Sequence, residues 1–193
     1  MKLTVRLGDY LWRPLTDAEE DTAFVLRMRN SSPAQGAFFT SRISREDHLR
    51  FLHAPQRDEE LNWIIEQAGE RLGASGLYRL DRKNRRAEVG RVVVLNPQLY
   101  SLNLLVCCFV AFEHLQLNKL IGDALASNTV VTRALERVGV EREGVLREHV
   151  FKDGQFHDVL LFGILARTWR GMRPPLFDLY GQPRIIQHDA MDT

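Results

Sequence analysis

The stretch from Ala87 to Ala126 constrains the fold more than any other part of the chain. "AEVGRVVVL" (Ala87 to Leu95) is rich in β-branched residues and reads as a mostly buried strand. "SLNLLVCCFVAFEHL" (Ser101 to Leu115) carries Leu102, Leu105, Phe109 and Phe112 at helical spacing. "KLIGDALA" (Lys119 to Ala126) reads as another strand. Strand, helix and strand in this order predict a crossover within a mixed sheet. The longest apolar run, Leu104 to Phe112, ends at Glu113 and His114 and is too short to span a bilayer.

The other segments are expected to pair locally. "KLTVRLGDYLWRPL" alternates and predicts a first strand over Leu3 to Arg13. "TDAEEDTAFVLRMRN" follows as a helix, with Thr16 or Asp17 as its cap. "SSPAQGAFFTS" is a loop by its Ser, Pro and Gly content. "SREDHLRFLHAP" is a second helix capped by Ser44, with Asp47 at its third position. Leu61 to Gln67, Arg71 to Leu80 and Ala87 to Leu95 form an antiparallel meander. "SNTVVTRALERVGV" is a short helix capped by Ser127 or Asn128 and ended by Gly139. The last strands form a hairpin about Asp153-Gly154, with His149 and His157 facing each other across it. Residues 170–193 are rich in Pro and Gly and are expected to be a tail on a domain that spans 1–169.

The 193 residues suit one domain with a sizeable core. The net charge of +1 excludes a global field toward nucleic acid or anionic membrane. The N-terminus carries no apolar segment of secretory type, so a cytoplasmic location is expected. Cys107 and Cys108 are adjacent, without disulfide or metal spacing, and read as core thiols. No metal site is expected.

Several segments together resemble the GNAT N-acyltransferases, in particular the RimJ/RimL-like branch and the amino-sugar N-acetyltransferases of pseudaminic acid biosynthesis. They are "WRPLTDAEEDTAFVLRMRN", "AEVGRVVVL", "AFEHLQLNKL", "SNTVVTRALERVGVEREGVLRE" and "KDGQFHDVLLFGIL". The spaced pattern Asn128, Glu136, Gly139, Glu143, Gly144, Arg147, Gly154 and Asp158 is the most specific part. The resemblance implies an α+β (mixed α/β) fold. Its sheet would be mixed, mostly antiparallel and about seven-stranded, with about four helices. The sheet would splay between its fourth and fifth strands. A dimer is common in such proteins.

The resemblance also implies a mechanism. An acyl-coenzyme A, such as acetyl-CoA, would lie in the splay, and a primary amine of a small molecule, an amino sugar, would attack its thioester. Glu88 on the fourth strand would be the general base. Tyr78 on the third strand, outside the family's usual tyrosine position, is a candidate for the hydroxyl that protonates the leaving thiolate, the other reading being sheet packing. The donor would lie along Val93, Val94 and Leu95 and over Gln98, Leu99, Tyr100 and Ser101, with Asn128 and Arg133 from the following helix. Arg29, Asn30, Phe39 and Arg91 would meet the acceptor. Tyr100 is a second candidate hydroxyl, and Asp158 reads as structural.

Two departures stand out. The family's phosphate loop has glycines that let the backbone approach a pyrophosphate. Asn96 to Ser101 has none, and Pro97 removes one N–H donor. The family's usual tyrosine aligns with Leu135, and its serine with Val131. Two alternatives therefore stand beside the acyl-CoA reading. One is a donor such as aminoacyl-tRNA, for which Arg79, Arg82, Lys83, Arg85 and Arg86 offer a basic cluster. The other is a non-catalytic GNAT scaffold that binds a partner.

Overall fold

The computed structural model describes residues 2–31, 37–40, 42–55, 59–137 and 139–189. The chain runs β1 (Lys2–Leu7), β2 (Tyr10–Pro14), α1 (Glu19–Arg29), α2 (Arg45–Leu52), β3 (Leu61–Gln67), β4 (Glu70–Asp81) and β5 (Arg86–Val94). Then follow α3 (Pro97–Phe109), β6 (Lys119–Leu125), α4 (Thr129–Arg137), β7 (Glu141–Lys152), β8 (Gln155–Leu165), α5 (Ala166–Tyr180) and β9 (Arg184–Asp189). A π-helical turn, Val110–His114, continues α3.

The nine strands form one sheet in the order β7-β8-β6-β5-β4-β3-β2-β1-β9. Only β5 and β6 are parallel neighbours, as the crossover requires. They pair over three positions, Arg86 with Lys119, Ala87 with Leu120 and Glu88 with Ile121. Beyond these the two strands part. The cause is a bulge in β5: Gly76 faces Gly90, but Ala74 faces Val93, so Arg91 and Val92 both stand against Ser75. Arg91 takes φ +56, the left-handed region. A bulge of this kind bends its strand and raises the local twist, here carrying β5 away from β6.

Side-chain alternation gives both faces of the sheet a cover. Trp63, Ile65, Leu77, Ala87 and Leu120 join one core with α3 and with Trp169 of α5. Ile64, Ala74 and Val93 point the other way and pack on Phe24 and Val25 of α1. In the first core the Trp12 indole N–H donates to Asn103 Oδ1 of α3 at 3.0 Å. On the opposite face, buried Asp21 ties α1 to the sheet. It accepts from both terminal nitrogens of Arg13 at 2.7 Å, from Arg71 at 2.8 Å and from the Thr16 hydroxyl at 2.8 Å.

Several expectations need correction. The first strand is two strands, folded at Gly8, which takes φ +56. This shifts the count, so the splay lies between the fifth and sixth strands. Residues 170–189 are not a tail. They continue α5 and form β9, which pairs with β1, Val5 opposite Ile185. Among the described residues the sheet thus has two strands more than the expected seven, and α5 is a fifth helix. α1 starts after Ala18, not at Thr16 or Asp17. Val150, not His149, stands opposite His157, because a bulge puts Glu148 at φ +51. The Asp158 carboxylate accepts from the Glu148 N–H at 2.8 Å within that bulge, consistent with a structural role. The Ser44–Asp47 capping box and the Asp153-Gly154 turn are as predicted.

Candidate active site

Where β5 and β6 part, the gap is a cavity of about 340 Å³. It is lined from both faces of the sheet. On the α3 face stand Tyr100, Asn103 and Leu104, then Asn128, Val131 and Leu135, with Leu120, Phe162 and Ile164 from the strands. This wall is largely apolar. On the α1 face stand Arg29, residues 37–40, Tyr78, Arg79, Glu88, Arg91 and Asp123. This wall is charged.

The register explains the charged wall. Tyr78 faces Glu88 across the antiparallel β4–β5 pair, and Glu88 lies beside Ile121 in the parallel pair. Asp123 is two residues beyond Ile121, so its side chain leaves the sheet on the same face. Both oxygens of Glu88 accept from one Arg79 nitrogen, at 3.2 and 3.0 Å. The Arg91 guanidinium lies 3.9 Å from the centre of the Tyr78 ring and 4.7 Å from that of Phe51. It also donates to Glu60 at 2.6 Å and to Asn62 at 3.0 Å. Burial pushes the Tyr78 phenol up to about 12, and the charges of Asp123 and Glu88 add to this. The phenol therefore keeps its proton at neutral pH and can donate. Burial, then the Glu88 charge, raises the Asp123 carboxyl above the usual range, while Arg79 and His149 oppose the rise. Burial pulls Arg29 down to about 10, which leaves it cationic at neutral pH.

The segment over the charged wall is held from two sides. Arg29 stacks 3.5 Å from the centre of the Phe38 ring and donates to the Thr40 hydroxyl at 2.8 Å. Lys152, at the tip of the β7–β8 hairpin, donates to the Phe38 carbonyl at 2.8 Å. The loop residues 32–36 and 41 lie outside the described residues.

Of the residues singled out in the sequence, the cavity brings together Tyr78, Glu88, Tyr100, Asn128, Arg29, Phe39 and Arg91. Asn128 is also the N-cap of α4, accepting from the Val131 N–H at 3.3 Å. The others stand elsewhere. Asn30 spends its amide on the Ile43 backbone, donating and accepting at 2.9 Å, and so pins a loop. Val93 is buried against α1, and Leu99 in the core under α3. Val94 pairs with Gly73, and the Leu95 N–H donates to the Leu72 carbonyl at 3.0 Å, so both belong to the β4 side. Gln98, Ser101 and Arg133 lie outside the cavity lining. The part of β5 that borders the cavity is Glu88 to Val92. Asp123, Thr40 and Asn103 were missed. Asp123 had one available signal, a lone carboxylate within a mostly apolar strand, but its face is fixed only by the parallel register.

The N-terminus of α3 is already satisfied in part. Asn96 Oδ1 accepts from the Leu99 N–H at 3.0 Å, and Pro97 has no N–H. Two of the donors that a pyrophosphate would use are therefore absent or engaged.

A profile of the acetyltransferase (GNAT) domain family matches residues 11–141, more than half of the chain. The chain belongs to this family. A protein of Bacillus subtilis strain 168, provisionally described as the ribosomal N-acetyltransferase YdaF, is 30% identical over 106 residues. That alignment covers 53% of this chain and 58% of the relative. The spermidine N-acetyltransferase of Vibrio cholerae, solved with CoA and spermine, superposes with a TM-score of 0.75 at 19% identity. It matches 84% of this chain and 99% of its own. A GCN5-related N-acetyltransferase from Brucella melitensis gives a TM-score of 0.73 at 20% identity, over 88% of this chain and 81% of its own. At these identities the likeness is one of fold. Among the described residues no cluster of His, Cys, Asp or Glu could hold a metal, and no helix is long and apolar enough to cross a membrane.

Proposed function

We propose that the protein is an N-acyltransferase that moves an acetyl or other acyl group from an acyl-CoA to a primary amine of a small molecule, with an amino sugar as the acceptor class. The observation that carries this is the cavity through the splayed sheet, apolar on the α3 face and charged on the α1 face. An apolar wall with the open edge of Val89 to Val92 suits an acyl thioester arm. The thioester supplies an activated acyl carbon. Asn128 and Tyr100 would border the arm. A charged wall suits an amine that enters as an ammonium. Tyr78 keeps a proton to give to the leaving sulfur, and the carboxylates on this face draw the ammonium in. Arg29, Phe39 and Thr40 form the rim that the acceptor crosses.

A second reading is favoured by the capped α3 N-terminus: a donor without the CoA pyrophosphate. Aminoacyl-tRNA is weakly supported, since Arg79, Arg85 and Arg86 already bind Glu88, the Gln116 carbonyl and Asp81. A cytoplasmic homodimer completes the proposal. The exposed rings of Phe151 and Phe156, 5.0 Å apart, are apolar surface that a second copy could cover.

The test is thiol release from acetyl-CoA in the presence of amino sugars, diamines and peptide amines. The expected result is amine-dependent turnover, strongest with an amino sugar. Turnover with peptide amines alone would remove the small-molecule reading, and none with any amine would remove acyl transfer from acetyl-CoA.

A further inference from the structure

Glu88 is the carboxylate that position alone suggests as base, yet both of its oxygens are engaged by Arg79. Asp123 stands on the same face of the sheet, in the same cavity, across the splay from Glu88. Among the described residues its carboxylate makes no side-chain hydrogen bond or ion pair with another residue. The groups that face it are Tyr78 and Arg79 from β4, Glu88 from β5 and His149 from β7.

We propose that Asp123 is the proton acceptor in acyl transfer, and that Glu88, steered by Arg79, is a positioning residue that tunes it. The inference rests on the acyltransferase reading. The step balances as follows. The substrate ammonium gives one proton to the Asp123 carboxylate. Its nitrogen forms the bond to the acyl carbon as the carbon–sulfur bond breaks. Tyr78 gives its proton to the sulfur, which departs as a thiol, and takes the second nitrogen proton in its place, and Asp123 returns its proton to water. A carboxylate that faces the cavity with no cation bound to it and stands near a like charge is better placed for this task than one that accepts from a guanidinium.

The experiment compares the wild type with Asp123→Asn, Asp123→Glu and Glu88→Gln. It reads kcat against pH, the KM for acetyl-CoA, and the aspartate carboxyl titrations by carbon NMR. Asp123→Asn is expected to lower kcat about 100-fold or more, with the donor KM nearly unchanged. Asp123→Glu should recover part of the loss. Glu88→Gln should lose less than about tenfold and move the acidic limb of the kcat profile to lower pH, because a like charge is gone. Asp123→Asn with kcat within about tenfold of wild type, or Glu88→Gln losing as much as Asp123→Asn, overturns the proposal. A wild type without turnover would count against the acyltransferase reading instead. The titrations then decide. An Asp123 carboxyl that titrates above the other aspartates and drops in Glu88→Gln supports the coupling. One that titrates with the rest and ignores Glu88 overturns it.

Discussion

Replacing Asp21 with alanine is expected to destabilise the fold by about 3–5 kcal/mol, read as a lower urea midpoint at unchanged slope. Asp21 is 1% exposed and carries hydrogen bonds from Arg13, Arg71 and Thr16. Alanine removes the anion and leaves two half-buried guanidiniums with fewer partners. Arg13 keeps Glu66 at 2.7 Å, and Arg71 loses the carboxylate it holds through Nε. Burial by itself would raise the Asp21 carboxyl. The hydrogen bonds from Arg13, Arg71 and Thr16 outweigh it and hold the group well below the usual carboxylate range. The sign follows from linkage. A carboxyl depressed in the folded state contributes fully above its unfolded value of about 4. The contribution fades as the pH falls through the folded value. The gap between wild type and Asp21→Ala should therefore be widest at neutral pH and narrow below about pH 4. A gap under about 1 kcal/mol at pH 7 would mean that the network holds little of the α1 face in place.

Gly90→Ala is expected to lower kcat by about 100-fold while the chain still folds. A Cβ at Gly90 would stand 2.6 Å from the Tyr78 hydroxyl and 3.4 Å from two ring carbons. The backbone of Gly90 is held by its pairing with Gly76, so the ring must move. Tyr78 has little room to do so, because Arg91 covers its face and is itself fixed by Glu60 and Asn62. Displacing the ring takes the hydroxyl out of line with the cavity. Overpacking of this kind costs about 1–3 kcal/mol of stability, which leaves a folded protein for assay. Tyr78→Phe separates chemistry from shape. A similar loss in Tyr78→Phe identifies the hydroxyl as the active group. Full activity in Tyr78→Phe with loss in Gly90→Ala assigns Tyr78 to shaping the site. Full activity in both would remove Tyr78 from the mechanism.

The sequence made the centre of the fold legible and the periphery less so. Ala87 to Ala126 carries two strands and a helix in one short segment, so its periodicity sufficed. The Asp153-Gly154 turn and the Ser44–Asp47 box are local chemistry and were equally readable. The break at Gly8 was hidden because Leu3, Val5 and Leu7 alternate smoothly into the next strand. β9 was hidden for a different reason. Its partner is β1, at the other end of the chain, and nothing local to Arg184–Asp189 records that pairing. α5 was obscured by Pro174 and Pro175, which read as breakers but lie inside the helix. In the site, Glu88 and Tyr78 were legible because a resemblance pointed to their strands. Asp123 was not, because its place depends on how β6 registers beside β5. The bulge at Arg91 that opens the cavity was invisible as well, since a non-glycine residue at positive φ leaves no mark in composition.

The central claim is that the splay between β5 and β6 holds an acyl thioester although the α3 N-terminus lacks glycines. Calorimetric titration of the wild type with acetyl-CoA tests it most directly. The account predicts binding at one site per chain in the micromolar range. It also predicts about 2.7 kcal/mol of added stability when the ligand stands at 100 times its Kd. No heat and no shift in melting at millimolar acetyl-CoA would contradict it, and a donor without the CoA pyrophosphate would then be the reading to pursue.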